Sequence, residues 1–528
     1  MTRSTDAIVD WIRAQAPQAQ LTADSRRINP GDVFFAYPGD EVDGRLFIDD
    51  AIERGAAAVV HDDMHFVIDT SVTIPVLAVA DLKQCAGAIA NAWYQHPDSD
   101  IAVLAVTGTN GKTSCSQWLA AAWSRLSNPC AVIGTLGTGI VRNGVVEQLV
   151  DTGYTTPDAI LLQQRLRVLR DGGAHALAIE ASSIGIDQGR LRGLHIDTAL
   201  WTNLSRDHLD YHGDMERYRA AKVQLFDWPG LQHAVINLDD TAGHNLMHQL
   251  QKSATTMTLI GFTCTGVKLS GIKLPSIKLL TASELRSTVA GTSFQLTVGS
   301  ESMAVKTNMV GDFNVSNLLG VIGVLLAHGF ALASIVAVIE TLTAVPGRMQ
   351  QFGGDNAPLV VIDYAHTPDA LEKTLATLRP VAQQRSGKLW CVFGCGGDRD
   401  SGKRPAMGVA AMAADHIILT NDNPRSEDPA DIITQILSGI TSSRASLPSP
   451  SPLPSQAISA AVEPKVIEDR AAAILWAVRH AARPDVILLA GKGHETTQEV
   501  RGKKHRFLDA DHAALALATR ATSKGVHS

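Results

Sequence analysis

Cysteine is scarce in this chain. Six occur in 528 residues, Cys85, Cys115, Cys130, Cys264, Cys391 and Cys395, and no two of them form a CxxC pair. That pattern excludes a disulfide scaffold and predicts reduced, mostly buried thiols in a cytoplasmic protein. The opening stretch MTRSTDAIVDWIRAQAPQ lacks the apolar core of a signal peptide. A basic excess is also lacking. The formal net charge is -7, which argues against a nucleic-acid partner but leaves room for a local cationic pocket. Long apolar runs are absent with one exception, LLGVIGVLLAHGFALASIVAV at 318–338. Its length approaches a membrane span, but His328-Gly329 interrupts it, so two short buried helices and no span are expected.

Apolar residues make up 45% of the chain and charged residues 19%. The composition is that of a globular protein, and the length suits about three domains. The expected boundaries are 1–98, 99–345 and 346–528. The first segment carries short β-like runs between polar turns. The second opens on the apolar strand IAVLAVT, Ile101–Thr107. In the third, LVVID, LWCVF, HIILT and VILLA alternate with helical stretches, the pattern of a doubly wound α/β domain. Residues 438–464, rich in Ser, Pro and Ala, read as a flexible surface insertion.

The strongest chemical signal is VTGTNGKTS, Val106–Ser114. A strand runs into a glycine-rich turn and then a helix expected to begin near Lys112. Such a turn brings backbone N–H groups to phosphate oxygens, with Lys112 reaching the terminal phosphates and Thr113 holding Mg²⁺. The common GxxxxGK[ST] spacing is broken, because Val106 stands where the first glycine would be. Glu180 ends a second apolar strand, where a carboxylate suits Mg²⁺. TNLSRDHLDYHG supplies Asp207, His208 and Asp210 without zinc spacing. Lys222, on the following helix, reads from its surroundings alone as a solvated or salt-bridged lysine.

These pieces and others occur in one order: GTNGKTS, EASS with DQGR, TNLSRDHLDYHG, YRAAK, INLDD, GDFNVSN, PGRMQ, DYAHTPDAL, GCGGDRD, DNPR and AGKGHE. Together they resemble the Mur ligase family of bacterial cell-wall enzymes over essentially the whole chain. The resemblance implies an α/β protein of three domains. The first would bind uridine, the second is P-loop ATPase-like and the third Rossmann-like. It implies an ATP- and Mg²⁺-dependent ligase, cytoplasmic and monomeric. That ligase would add meso-2,6-diaminopimelate to the D-glutamyl γ-carboxylate of UDP-N-acetylmuramoyl-L-alanyl-D-glutamate through an acyl phosphate.

The resemblance also assigns residues. Gly108, Thr109, Asn110, Gly111, Lys112, Thr113 and Ser114 would hold the ATP phosphates, and Asn314, Asn317 and Arg348 would complete the nucleotide site. Glu180, His208, Thr113 and Lys222 would serve the metal, with Lys222 carbamylated (N6-carboxylysine). Lys112, Lys222, His208 and Glu180 form the catalytic set. Ala23, Ser25, Asp40, Glu41 and Val42 would hold the uridine. Tyr154, Thr155, Thr156, Ser182, Gln188 and Arg190 would hold the muramyl dipeptide. The plainer alternative for Thr156 and Ser182 is a helix cap. Ile184 stands where many relatives have His, and FLDAD, 507–511, departs from the acidic run common near this terminus and is assigned nothing.

Arg399, Asp422, Asn423, Pro424, Arg425, Gly491 and Glu495 would receive diaminopimelate, with Arg425 clamping its distal carboxylate. The plainer alternative pairs Arg425 with Glu427 or Asp428 at the surface. Two other readings of the whole chain differ in kind. A folylpolyglutamate synthase would not need the DSR and GDEVDG elements or DNPR. A nucleotide-binding scaffold could lose Lys112, Glu180 or His208, and all three are present.

Overall fold

The computed structural model describes residues 3–40, 42–68, 72–253, 256–266, 277–288, 291–445 and 463–524. Glu41 and residues 446–462 lie outside them. Three sheets organise the chain. The first has four parallel strands in sequential order, β1 (Leu21–Thr22), β2 (Val33–Ala36), β3 (Ala58–Asp62) and β4 (Val76–Val79).

The second sheet is built on β5 (Ala102–Thr107), β6 (Cys130–Gly134), β7 (Gly137–Arg142), β8 (Val145–Val146), β9 (Ala176–Glu180), β10 (Thr198–Trp201), β11 (His233–Asn237), β12 (Thr258–Thr263), β13 (Lys278–Thr288), β14 (Gly291–Val298) and β15 (Glu301–Thr307). Its order is β15-β14-β13-β12-β11-β10-β5-β9-β6-β7-β8. The run from β13 to β6 is parallel, and antiparallel strands finish both edges. Strand periodicity divides its core in two. Leu104 and Val106 pack on one face with the helices Lys112–Leu126 and Asp312–Ala327, while Val103 and Ala105 pack on the other with the helix Ala159–Asp171.

The third sheet holds β16 (Gln350–Gly353), β17 (Leu359–Asp363), β18 (Leu389–Phe393), β19 (His416–Leu419), β20 (Lys465–Val466) and β21 (Val486–Ala490), in the order β16-β17-β21-β18-β19-β20. All neighbours are parallel except β16 with β17. A hairpin, β22 (Thr497–Val500) with β23 (Lys503–Arg506), follows. This is the α/β architecture expected from the alternating strands and helices.

The long apolar run divides as expected, into the helices Asp312–Ala327 and Leu332–Ile339, parted at Gly329 with φ +81°. No helix among the described residues is long and apolar enough to cross a membrane. The insertion starts later than its composition suggests. The helix Pro429–Ala445 continues through residues 438–445, so only 446–462 are left to that reading, outside the described residues. Apolar residues Ile432, Ile433, Ile436 and Ile440 at helical spacing bury this helix, which carries the chain past Ser438.

The first segment docks closely on the second. A Cβ on Gly87 would lie 1.9 Å from the Arg192 carbonyl oxygen, so only glycine permits that approach. Beside it, buried Asn91 donates to Gln163 Oε1 at 3.1 Å.

Candidate active site

The loop after β5 turns into the helix beginning at Lys112, as expected. Two glycines are obligatory there. Gly108 has φ +145°, and a Cβ on it would lie 1.9 Å from Thr202 Oγ1. Gly111 has φ +89°, and a Cβ on it would meet Asn317 Oδ1 at 2.5 Å. Loss of the first glycine of the common motif therefore leaves the turn itself intact. Lys112 Nζ folds back to donate to the carbonyls of Gly108 and Thr109, both at 2.9 Å. Thr113 Oγ1 donates to Glu180 Oε2 at 3.1 Å, and the other carboxylate oxygen accepts Thr135 N at 2.8 Å. Burial lowers the Lys112 pKa, against the pull of Glu180 and Asp207.

Lys222 is not the solvated lysine its helix suggests. It is 1% exposed, its Nζ donates to Gly108 O at 2.8 Å, and it lies 4.5 Å from the Tyr218 ring centre. Burial first, then repulsion from Lys112, places its pKa well below the ordinary lysine value. An amine whose charged form is disfavoured in this way is a better nucleophile than a solvated lysine.

Asp207 joins the second segment to the third. Its Oδ2 lies 3.5 Å from His208 Nε2 and 3.5 Å from His366 Nε2, and its Oδ1 lies 3.9 Å from Lys403 Nζ. Nearby, Arg206 pairs with Asp400 at 3.4 Å and Asn110 donates to Asp369 at 3.2 Å. His208 has φ +53°, and burial brings its pKa down to about 4, so it is a neutral imidazole at pH 7. From the third segment Arg348 donates to Thr113 Oγ1 at 3.2 Å and stacks 4.3 Å from the Tyr364 ring centre. Asp363 accepts Met349 N at 2.8 Å. Asn314 lines a cavity of about 200 Å³ with Val310, Met309, Met349 and Gln351. A larger groove, about 720 Å³, opens at the amino ends of β11 and β12 and contains none of the expected site residues.

On the dipeptide side the expected residues converge. Thr156 Oγ1 donates to Glu180 O at 2.7 Å and contacts Ser182 Oγ at 3.0 Å. Ser182 does cap the helix Ser183–Asp187, accepting Gly185 N at 3.0 Å. Thr155 Oγ1 is 3.1 Å from Thr135 Oγ1. Arg190 donates to Gln188 Oε1 at 2.6 Å and to Thr156 O at 2.9 Å, and it lies under the exposed Tyr154 ring at 4.6 Å. In the first segment, Asp24 and Arg26 bracket buried Ser25, next to Ala23, with a 2.9 Å ion pair. Asp40 pairs with Lys83 at 2.7 Å, and Val42 is exposed. Half-buried Tyr37, just past β2, has its pKa raised by desolvation and by Asp158 and Asp40 and drawn down by Arg190. Sequence reasoning passed over it because one tyrosine in a strand end carries no motif.

The third segment's expected residues gather at the carboxyl ends of β18, β19 and β21, where open α/β sheets bind ligands. Asn423 donates to Glu495 Oε2 at 2.7 Å, and Lys492 reaches both Glu495 at 2.9 Å and Asn423 at 3.1 Å. Burial, then Glu495, raises the Asp422 pKa. A Cβ on Gly491 would meet Asp422 Oδ2 at 2.7 Å. Arg425 has φ +51° and donates to Gly397 O at 2.5 Å, after Pro424. It does not pair with Glu427, whose partner is Arg404 at 2.7 Å. Its own carboxylate neighbour is Glu499 at 3.8 Å. Arg399 sits on the adjoining loop, its Cγ 4.0 Å from a Cβ on Gly396.

Two supports escaped the sequence reading. Lys492, inside AGKGHE, is fully buried. Asp509, in the FLDAD run assigned nothing, forms a doubly bonded, fully buried pair with Arg470, which also donates to Ala490 O at 2.9 Å at the end of β21. Among the described residues no cluster of three or more His, Cys, Asp or Glu side chains could hold a metal. The oxygen pair of Thr113 and Glu180 fits a hard cation, and a carbamate on Lys222 would add a further anionic donor.

Comparison with known proteins gives the family. Residues 19–94 match the model described as Mur ligase family, catalytic domain, 106–325 the Mur ligase middle domain, and 347–493 the Mur ligase, glutamate ligase domain. A UDP-N-acetylmuramoyl-L-alanyl-D-glutamate--2,6-diaminopimelate ligase from Janthinobacterium sp. (strain Marseille) is 59% identical, covering 98% of each chain. One from Ralstonia nicotianae is 48% identical over 97% of this chain and 96% of its own. A solved structure of an enzyme of the same name superposes with TM-score 0.63 at 35% identity, covering 95% of each chain. A MurF ligase from Thermotoga maritima in complex with ADP superposes at TM-score 0.61 and 16% identity, covering 96% of this chain and 98% of its own, a likeness of fold.

Proposed function

The chain belongs to the Mur ligase family and is an ATP-dependent ligase of peptidoglycan precursor synthesis, and we propose that its amino-acid substrate is meso-2,6-diaminopimelate. The acceptor is UDP-N-acetylmuramoyl-L-alanyl-D-glutamate. Its γ-carboxylate oxygen attacks the γ-phosphorus of ATP, and ADP leaves. The amine of the amino acid then attacks the acyl carbon, phosphate leaves, the amine gives up a proton and an amide remains.

The chain's residues act mainly by positioning and charge. The turn from Gly108 to Ser114 cradles the phosphates. Lys112 leaves its carbonyl contacts to follow charge onto the γ-phosphoryl oxygens. Arg348, already at Thr113, brings a second cation from the third domain (346–528). Thr113, Glu180, His208 and carbamylated Lys222 would hold Mg²⁺, which neutralises phosphate charge when bound. The buried, depressed amine of Lys222 supports the modification: it adds to carbon dioxide, loses a proton and becomes a carbamate. Arg190, Gln188, Thr156 and Ser182 orient the dipeptide, and the first domain (1–98) holds the uridine.

The observation that carries the choice of amino acid is Arg425. It stands at the carboxyl end of the third sheet with Glu427 occupied elsewhere, beside the Asn423–Glu495 pair. A planar guanidinium clamps a distal carboxylate, while Glu495 accepts from the distal ammonium. Lysine offers only the ammonium. The test is phosphate release with ATP, the UDP-dipeptide and a panel of amino acids. Turnover with meso-diaminopimelate and little with lysine is expected, whereas equal use of both would overturn the reading.

A further inference from the structure

Arg404 is 1% exposed and takes no part in the roles above. Its Nη1 and Nη2 donate to the two oxygens of Glu427 at 2.8 and 2.7 Å, Nη1 reaches Gln435 Oε1 at 2.9 Å, and Nη2 reaches Gly396 O at 3.1 Å. Glu427 Oε1 also accepts Asp398 N at 2.6 Å. The Asp398 carboxylate is itself taken by Ser426, at 2.6 and 3.1 Å.

The same glycine pair touches the other guanidinium. Arg425 Nη1 donates to Gly397 O at 2.5 Å and lies 3.1 Å from where a Cβ on Gly396 would stand. A Cβ on Gly397 would be 3.4 Å from Glu427 Cβ. Two arginines thus contact the Gly396-Gly397 dipeptide, and Glu427, two residues past Arg425 in sequence, packs its Cβ against the same Gly397. A glutamate tethered there is a candidate partner for either guanidinium, and Arg404 has both of its oxygens.

We infer that Arg404 is a positioning residue for amino-acid selection: by clamping Glu427 it keeps that carboxylate off Arg425, so that Arg425, whose nearest carboxylate is the loosely placed Glu499 at 3.8 Å, stays available to the carboxylate of the incoming amino acid. The inference rests on the proposed role of Arg425 in holding diaminopimelate. Its logic is competition. A tethered carboxylate free to swing onto Arg425 would act at high effective concentration, and apparent affinity falls by the fraction of enzyme in which Arg425 is already occupied.

The experiment is steady-state kinetics on three full-length variants. Arg404→Met is expected to raise KM for meso-diaminopimelate about tenfold, the effect of Arg425 being about nine-tenths occupied, with KM for ATP and for the UDP-dipeptide within about twofold. Arg404→Met with Glu427→Gln is expected to bring KM for diaminopimelate back to within about threefold of the unmutated enzyme, since the neutral amide competes weakly. Glu427→Gln alone should leave it within about threefold as well. A purely structural Arg404 would give a loss that the second substitution does not repair, and that result overturns the inference. A tenfold rise in Glu427→Gln alone overturns it too, because the carboxylate itself would then be needed; this variant decides the matter if Arg404→Met does not fold. No turnover of diaminopimelate by the unmutated enzyme would overturn the functional reading. Normal turnover with an unshifted KM in Arg404→Met overturns only the role given to Arg404.

Discussion

Lys112 Nζ and Lys222 Nζ end on the same carbonyl oxygen, that of Gly108, at 2.9 and 2.8 Å. Lys222 is buried and Lys112 half-buried, and two cationic groups on one acceptor repel each other at a cost. Burial lowers both pKa values, and repulsion from Lys112 is the next cause at Lys222. Lys112 turned to phosphate and Lys222 converted to a carbamate anion would relieve that repulsion.

Carbamylation of Lys222 is therefore the first prediction. A carbon-13 carbamate signal should appear in bicarbonate buffer and be lost in Lys222→Ala. That variant should fold but not turn over, and a short carboxylic acid added to the assay should restore part of the activity. An active Lys222→Ala enzyme without additive would refute the role.

Stability should move the other way. The folded-state pKa of Lys222 lies below the ordinary 10.5, so the unfolded chain binds the extra proton. The site's contribution to stability then rises with pH between the folded value and 10.5. Lys222→Met should flatten that rise and lift the melting temperature at neutral pH by about 2–4 °C without bicarbonate, about 1 kcal/mol in a domain of this size. Calorimetry across pH checks it, and a lower melting temperature would count against the argument.

Lys112→Ala should lower kcat by about 10²–10³ at saturating ATP, because charge developing on the γ-phosphoryl group loses its nearest cation. Stopped assays of ADP formation would decide, with near-normal turnover excluding the assignment.

Arg425→Ala should raise KM for diaminopimelate by about 2–5 kcal/mol of lost binding, the usual cost of truncating one partner of a charge pair. Lysine use should not rise in parallel. Isothermal titration with each amino acid on the ATP-analogue complex measures both, and an unchanged diaminopimelate affinity would remove Arg425 from the site.

Asp207→Asn tests the seam between the second and third segments. Burial opposes the Asp207 charge, but the hydrogen bond from His366, the charge of Lys403 and, in acid where the imidazoles are protonated, the charges of His366 and His208 outweigh it and hold the carboxyl far below its usual range. A depressed carboxyl stabilises the fold above its unfolded value of about 3.8, and that stability is lost as pH falls below it. The variant should lose about 1.5–3 kcal/mol at pH 7 and show a flatter decline in acid. X-ray scattering should also report a larger radius of gyration. An unchanged radius and acid profile would show that these contacts do not hold the segments together.

Much of the site was legible because its chemistry is local in sequence. A strand, a glycine turn and a lysine at a helix start need only adjacent residues, and the structure has them where the sequence put them. Arg190, Gln188 and Thr156 converge because the loop before the helix Ala159–Asp171 and the short helix after β9 both meet at the carboxyl end of β9. What escaped depends on distant partners. Lys222 looked solvated because a lysine on an amphipathic helix ordinarily takes the wet face. Gly108, more than a hundred residues earlier, is what buries it. Asp509 looked like a stray acid until Arg470 was found against it. The start of the insertion was misjudged because Ser and Pro composition outweighed the isoleucine spacing at 432–440.

The sequence by itself determined the elements, the order of the motifs and the nucleotide-binding turn, since backbone preference and periodicity act over a few residues. Only the tertiary structure decided which arginine holds Glu427, which carbonyl receives Lys222 and which acid joins the segments. Each of those is a choice among several charged partners of equal chemical fitness. Distance and desolvation, set by packing across the sheets, select one.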